Sequence, residues 1–154
     1  MYKVLTIDGR DYKFEFSVEA SLYNECIEKI TNIMVEFATS GNMKEMLNGL
    51  ADLPKTSLNC FYAGLLEHHG AEGDRTVMGI SDAKKLAIKL IKSEDSDINN
   101  WYDLFRLCVD QMGEDGFFEL IGLTDLLSSP ETETAPTEEK KTRKRTPKAV
   151  SATS

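Results

Sequence analysis

Apolar residues recur along this chain with two different periods. Over residues 2–16 they alternate with polar ones. Tyr2-Lys3-Val4-Leu5-Thr6-Ile7 and Asp11-Tyr12-Lys13-Phe14-Glu15-Phe16 flank Asp8-Gly9, a two-residue turn signal, so the pattern predicts a β-hairpin. With that loop Leu5 falls opposite Tyr12 and Lys3 opposite Phe14, which puts Leu5, Ile7, Tyr12 and Phe14 on one face. A lone two-stranded hairpin is marginal in water, so this face must pack on helices or pair with another chain.

From residue 17 onward the period is helical. Ser17 as N-cap and Glu19 in the first turn open a helix carrying Leu22, Tyr23, Cys26, Ile27, Ile30, Ile33, Met34 and Phe37. It is expected to be the longest in the chain and to stop at Ser40-Gly41. Asn42 with Glu45 has the form of a capping box for a short third element bearing Met43, Met46, Leu47 and Leu50. Met34, Met43 and Met46 read as gap-filling core or as a deformable binding surface. Pro54 suits the first turn of the next helix. There Leu58, Phe61, Tyr62, Leu65 and Leu66 make the densest apolar stripe, and this helix is the expected centre of the fold.

Residues 70–80 hold three glycines and read as a loop. Ser81 is the expected cap of a helix with Ala83, Leu86, Ala87, Leu90 and Ile91 inward and Lys84, Lys85, Lys89 and Lys92 outward. Asp97 is the expected cap of another, with Ile98, Trp101, Tyr102, Phe105, Cys108, Val109 and Met112, ending at Gly113. Glu114-Asp115 then start a short helix with Phe117, Phe118, Leu120 and Ile121. Apolar character fades after Leu127, and residues 128–154 turn to Pro, Thr, Glu, Ser and then Lys and Arg. The expected fold is mainly α (α+β): an N-terminal hairpin packed on a bundle of about five to six helices over residues 1–127, followed by a disordered charged tail.

Charge sharpens this picture. Residues 130–154 hold four acids and six bases, which leaves 22 acids and 12 bases, a net of −10, for the rest of the chain. An acidic body repels phosphate backbones, so nucleic acid is not an expected partner of the folded part. Nor is a membrane expected, because no apolar run is long enough to span one and the N-terminus lacks the apolar length of a signal peptide. Cys26, Cys60 and Cys108 are an odd set without CxxC pairing, which reads as buried free thiols rather than a disulfide framework or zinc site.

Candidate chemistry is sparse. His68 and His69 are adjacent, point about 100° apart on a helix, and lack an acid or cysteine at ligand spacing, so a favourable place at a helix C-terminus explains them better than a metal. Gly70 to Gly73 has no following Lys-Ser/Thr and is no phosphate loop. Paired acids at Asp95 and Asp97, or Glu114 and Asp115, sit where capping explains them. No catalytic residue, cofactor site or metal site is expected.

Phe61-Tyr-Ala-Gly-Leu-Leu-Glu-His-His-Gly70, Gln111-Met-Gly-Glu-Asp-Gly-Phe-Phe-Glu-Leu-Ile-Gly122 and the Asp8-Gly9 hairpin running into Phe16-Ser-Val-Glu-Ala20 together resemble the tail assembly chaperones of long-tailed (siphovirus-type) bacteriophages, of the kind found in phages of Gram-positive hosts. The likeness covers roughly residues 2–123. It implies a non-enzymatic protein of the host cytoplasm, absent from the mature virion, that binds the tape measure protein while tail tube subunits polymerise around it. It also implies a longer form made by ribosomal frameshifting, whose added part recruits the tail tube protein, and self-association into multimers. Glu138-Glu139-Lys140-Lys141 are codons that an adenine-rich slippery run can encode. A client groove would draw on surface left over from Phe61, Tyr62, Leu65, Trp101, Phe105, Phe117 and Phe118, residues that serve equally well as plain core. The competing reading is a helical protein-interaction adaptor whose basic tail, Lys140 to Lys148, contacts nucleic acid.

Overall fold

A computed structural model describes residues 1–39 and 51–123, apart from the side chains of 34–39. Met1–Leu120 form one compact unit, and a second unit begins at Ile121. The expected element at Asn42, the methionine trio and the charged tail fall outside the described residues or side chains. The observed order is β1 (Lys3–Ile7), β2 (Arg10–Phe14), α1 (Val18–Ser21), α2 (Asn24–Thr39), α3 (Leu53–His69), α4 (Ile80–Lys92), α5 (Trp101–Glu114) and α6 (Phe117–Leu120). The architecture is mainly helical with an N-terminal hairpin, as the periodicity predicts. Among the described residues no helix is long and apolar enough to cross a membrane.

The hairpin forms in the expected register, Lys3 opposite Phe14 and Leu5 opposite Tyr12. Asp8 at φ 56° and Gly9 at φ 79° supply the two left-handed residues that such a turn requires. Leu5, Ile7, Tyr12 and Phe14 are all buried. They are covered by α3 against β2 and α4 against β1.

Helix α3 is the hub. It touches β2 and helices α1, α2, α4 and α5, so most of its circumference is enclosed. That corrects the narrow stripe expected from apolar spacing: Phe61 and Leu65 are buried, but Leu58, Tyr62 and Leu66 are half-buried. The enclosed face instead runs through Thr56, Ser57, Asn59, Cys60, Ala63 and Gly64. Small and polar residues fit because close backbones, of a neighbouring helix or of α3 itself, supply partners. Ser57 Oγ donates to the Trp101 carbonyl of α5 at 2.8 Å, and Asn59 Nδ2 donates back to the Lys55 carbonyl of α3 at 2.9 Å.

The tightest approach is at Gly64. Phe14 lies against it so closely that a Cβ there would stand 2.3 Å from the ring. Beside it the Glu15 N–H donates to the Gly64 carbonyl at 2.9 Å. Phe14 in turn packs against Phe61 at 5.6 Å and edge-on against Phe16 at 5.3 Å, and Phe16 meets Phe117 at 5.3 Å. These four fully buried rings run from the central helix through the hairpin to α6, each contributing about 1.5–3 kcal/mol by burial.

Several expected boundaries move. The first helix is interrupted: Leu22 and Tyr23 donate to Glu19 and Ala20, three residues back, and α2 starts afresh at Asn24. In a continuous helix Ala20 and Cys26 would point about 120° apart, whereas the break lets both be buried while Leu22 stays 70% exposed. The longest described helix is therefore α3, with 17 residues against 16 for α2. Ser17 does not cap by its side chain, and its hydroxyl donates to Glu67 instead. Gly79, not Ser81, precedes α4, and Asn100, not Asp97, caps α5, accepting from the Asp103 N–H at 2.8 Å. Helix α5 runs past Gly113 to Glu114, with Asp115 as its C-cap, and is stopped by Gly116 at φ 70°, so α6 begins at Phe117 rather than at Glu114. Leu104 joins Phe105, Cys108 and Met112 on the buried face of α5, while Tyr102 stays exposed.

Gly64→Ala should lower unfolding stability by about 1–3 kcal/mol, because the Phe14 ring is locked between Phe16 and Phe61 and has nowhere to go. Gly113→Ala, whose Cβ would meet nothing within 4 Å, should be neutral or stabilising by up to about 1 kcal/mol. Urea denaturation of both variants checks the pair.

Candidate functional site

The seven residues named for a client groove divide into two groups. Phe61, Leu65, Phe105 and Phe117 are buried in the core of the compact unit, and their side chains are spent on packing. Tyr62, Trp101 and Phe118 are half-buried and keep surface. Tyr62 lies edge-on to Tyr23 at 5.2 Å, and the Tyr23 hydroxyl donates to Asn59 Oδ1 at 2.8 Å. Burial pushes Tyr23 up to about 12, so its hydroxyl stays a donor through the physiological range.

Past the chain start, the large apolar exposures that sequence reasoning did not single out include Met78, 55% exposed in the loop before α4, and three on or beside the short helices. Val18 and Leu22, at and just past the ends of α1, are 60% and 70% exposed, and Leu120 of α6 is 51% exposed. Helices α1 and α6 pack against each other. The signal was present in Leu22, but an uninterrupted helix put it on the inward stripe.

The two histidines lie in a polar cluster where α3 meets the hairpin. His68 Nε2 faces Glu15 Oε1 at 2.8 Å. His69, 5% exposed, accepts the Lys13 N–H on Nε2 at 2.9 Å and places Nδ1 at 3.0 Å from Asp74 Oδ2. An acceptor role at Nε2 assigns the proton to Nδ1, which donates to Asp74. The His–Asp contact has the outline of a catalytic dyad, but the nitrogen that would serve a nucleophile is occupied by a backbone amide. Thr76 adds its own Oγ1 and N–H to Asp74 Oδ1 at 2.6 and 3.0 Å. Burial raises the Asp74 carboxyl, but the hydrogen bonds from Thr76 and His69 outweigh it and hold the group below the usual aspartate value. Among the described residues no three His, Cys, Asp or Glu side chains converge on a metal position.

Of the paired acids, Asp115 is fully engaged. Asp115 has a side chain only 2% exposed. It accepts the Phe16 N–H at 2.8 Å, Gln111 Nε2 at 3.0 Å and the Met1 amino group at 3.0 Å, tying the hairpin exit to the end of α5. Asp95 and Asp97 flank serines whose hydroxyls accept the Asp95 and Ile98 N–H groups in tight turns.

All three cysteines are buried free thiols, and the fold brings two of them together: Cys26 Sγ and Cys60 Sγ lie 3.5 Å apart between α2 and α3. Nothing in a 34-residue separation on two helices announces that contact. The Cys26 contact and burial push the Cys60 thiol well above the ordinary cysteine value, and burial does the same to Cys108.

A cleft of about 660 Å³ opens beside the hairpin, bounded by β1 on one side and by Leu90, residues 95–98 and Leu107 on the other. Its polar lining combines Asp8, Asp95 and Asp97 with Lys3, Thr6, Ser93 and Ser96.

Native protein should react with a thiol reagent at neutral pH on the order of a hundredfold more slowly than unfolded protein, and fast labelling of Cys60 or Cys108 would contradict the packing. The depressed Asp74 value makes its stabilisation complete above about pH 4 and lost as pH falls through the lower folded-state value. Asp74→Asn should remove that part of the acid dependence in a pH series of denaturation midpoints.

Comparison with family models, curated proteins and solved structures finds no match to this chain.

Proposed function

We propose that this chain is a tail assembly chaperone of long-tailed bacteriophages: a non-enzymatic protein of the host cytoplasm that binds the tape measure protein, keeps it soluble, helps the tail tube polymerise around it and leaves before the virion is complete. The family likeness of three strings in order motivates the reading. The observation that supports it in the folded chain is the exposure of Val18, Leu22 and Leu120 on two adjoining short helices of an acidic body. Exposed apolar side chains on two helices that touch offer area for another protein to cover. A client helix offers apolar positions at i, i+3, i+4 and i+7 that such a surface accommodates. Half-buried Phe118 adds aromatic area on α6, and Tyr62 and Trp101 retain surface of their own. The net charge of −10 on residues 1–129 keeps the pair apart from like copies.

In this reading a longer frameshifted form recruits the tail tube protein. The coding sequence decides that part, since the absence of a slippery run at the codons of Glu138 to Lys141 removes it.

Co-expression with the tape measure protein should move the client into the soluble fraction and allow the two to be purified together. Leu22→Glu with Leu120→Glu should weaken binding about 30-fold, an interface cost of about 2 kcal/mol, with the thermal midpoint unchanged. A client equally soluble without this chain, or binding untouched by the double substitution, contradicts the reading. Salt-sensitive DNA binding lost on deleting residues 138–154 would favour the adaptor reading instead.

A further inference from the structure

We propose that the open edge of β1 is a strand-addition site for an extended, basic segment of another protein chain. In an antiparallel pair closed by a two-residue loop, hydrogen-bonded and non-hydrogen-bonded residue pairs alternate outward from the loop. Ile7, Leu5 and Lys3 therefore exchange bonds with Arg10, Tyr12 and Phe14, and Val4 and Thr6 turn their N–H and C=O groups to the opposite edge. The alternation is visible on β2: Lys13, the partner of Val4, sends its N–H off the ladder to His69 at 2.9 Å. On β1 the corresponding groups of Val4 and Thr6 meet no partner among the described residues.

Both residues line the 660 Å³ cleft. Residues of both strand faces border it, Val4 and Thr6 of one and Lys3 and Leu5 of the other, which places the hollow along the edge rather than over a face. Its far wall carries Leu90 with half-buried Ile98 and Leu107. The five residues of β1 span about 16 Å at ~3.3 Å per residue, room for an added strand of similar length.

Charge selects the occupant. Asp8, Asp95 and Asp97 line the cleft against one base, Lys3. Lys89 lies 3.1 Å from Asp8, which leaves Asp95 and Asp97 to a guest. An adjoining hollow of about 200 Å³ shares Asp97 and adds Asp103 and Asp110 against Arg106. Two copies of this chain meeting β1 to β1 would bring these carboxylates together, whereas a segment alternating Lys or Arg with apolar residues neutralises them and covers the apolar wall. Backbone pairing gives the affinity and the carboxylates give the preference. The site uses residues other than those of α1 and α6, and it does not depend on the identity of the client proposed above.

The test is an NMR titration of the full chain with an eight-residue peptide, Lys-Val-Arg-Val-Lys-Thr-Arg-Val, and with its counterpart in which Glu replaces every base. The basic peptide should shift amides of β1 and residues 93–98 and slow hydrogen exchange at Val4 and Thr6 about tenfold or more. Asp95→Lys with Asp97→Lys, both at exposed loop positions, should weaken binding about tenfold at low salt while leaving the spectrum of the core unchanged. The Glu peptide should not bind. The proposal is overturned by no binding at millimolar peptide, by binding without protection of Val4 and Thr6, or by indifference to the charge reversal. Protection of the same amides by raising protein concentration alone would also overturn it, in favour of a second copy.

Discussion

Everything in the described unit depends on one close approach, the ring of Phe14 seated on Gly64 of the central helix. A two-stranded hairpin has little stability of its own, so it must be held by something outside itself. Gly64 is the position where α3 lets the strand come near enough for its backbone to bond, Glu15 N–H to the Gly64 carbonyl. Around that point the other ties fall into place: Lys13 to His69, Phe16 N–H to Asp115, and the four packed phenylalanines. A methyl group at residue 64 would set the strand and the helix against each other.

The same docking decides which surfaces remain for function. Because β2 lies against α3, the off-ladder N–H of Lys13 is taken by His69, whereas the corresponding groups of β1 find no partner among the described residues. The break after Ser21 buries Ala20 and Cys26 at the cost of exposing Leu22. Both surfaces therefore follow from packing requirements of the core. Two of the polar groups that look chemical in the sequence, His69 and Asp115, are consumed as hydrogen-bond partners of backbone. What stays open among the described residues is the β1 edge, the exposed apolar side chains and the carboxylates of Asp95 and Asp97.

What could be read from the residues is what local chemistry decides. Asp8-Gly9 sets its own turn and hence the register, and the four inward residues of the hairpin follow from alternation. The stripe of α4 is legible because its other side is lysine-rich and solvated. The centrality of α3 was legible, but its enclosing face was not. A helix surrounded on most sides has no amphipathic stripe, and residues such as Thr56, Ser57 and Gly64 are chosen for the neighbours they meet. Phe61, Leu65, Phe105 and Phe117 could serve a groove or a core on spacing alone, and only the packed fold shows them buried. The meeting of Cys26 with Cys60 and the capture of Lys13 by His69 are likewise tertiary events.

The central claim is that hairpin and central helix form one cooperative body joined at Gly64. Native-state hydrogen exchange of the Lys13 and Glu15 amides tests it most directly, since these bond to His69 and to Gly64. The account predicts that both exchange only through global unfolding, with the same free energy as the mid-helix amides of α3. Exchange through a low-energy local opening, with α3 still protected, would show a hairpin merely resting on the helix and would contradict it.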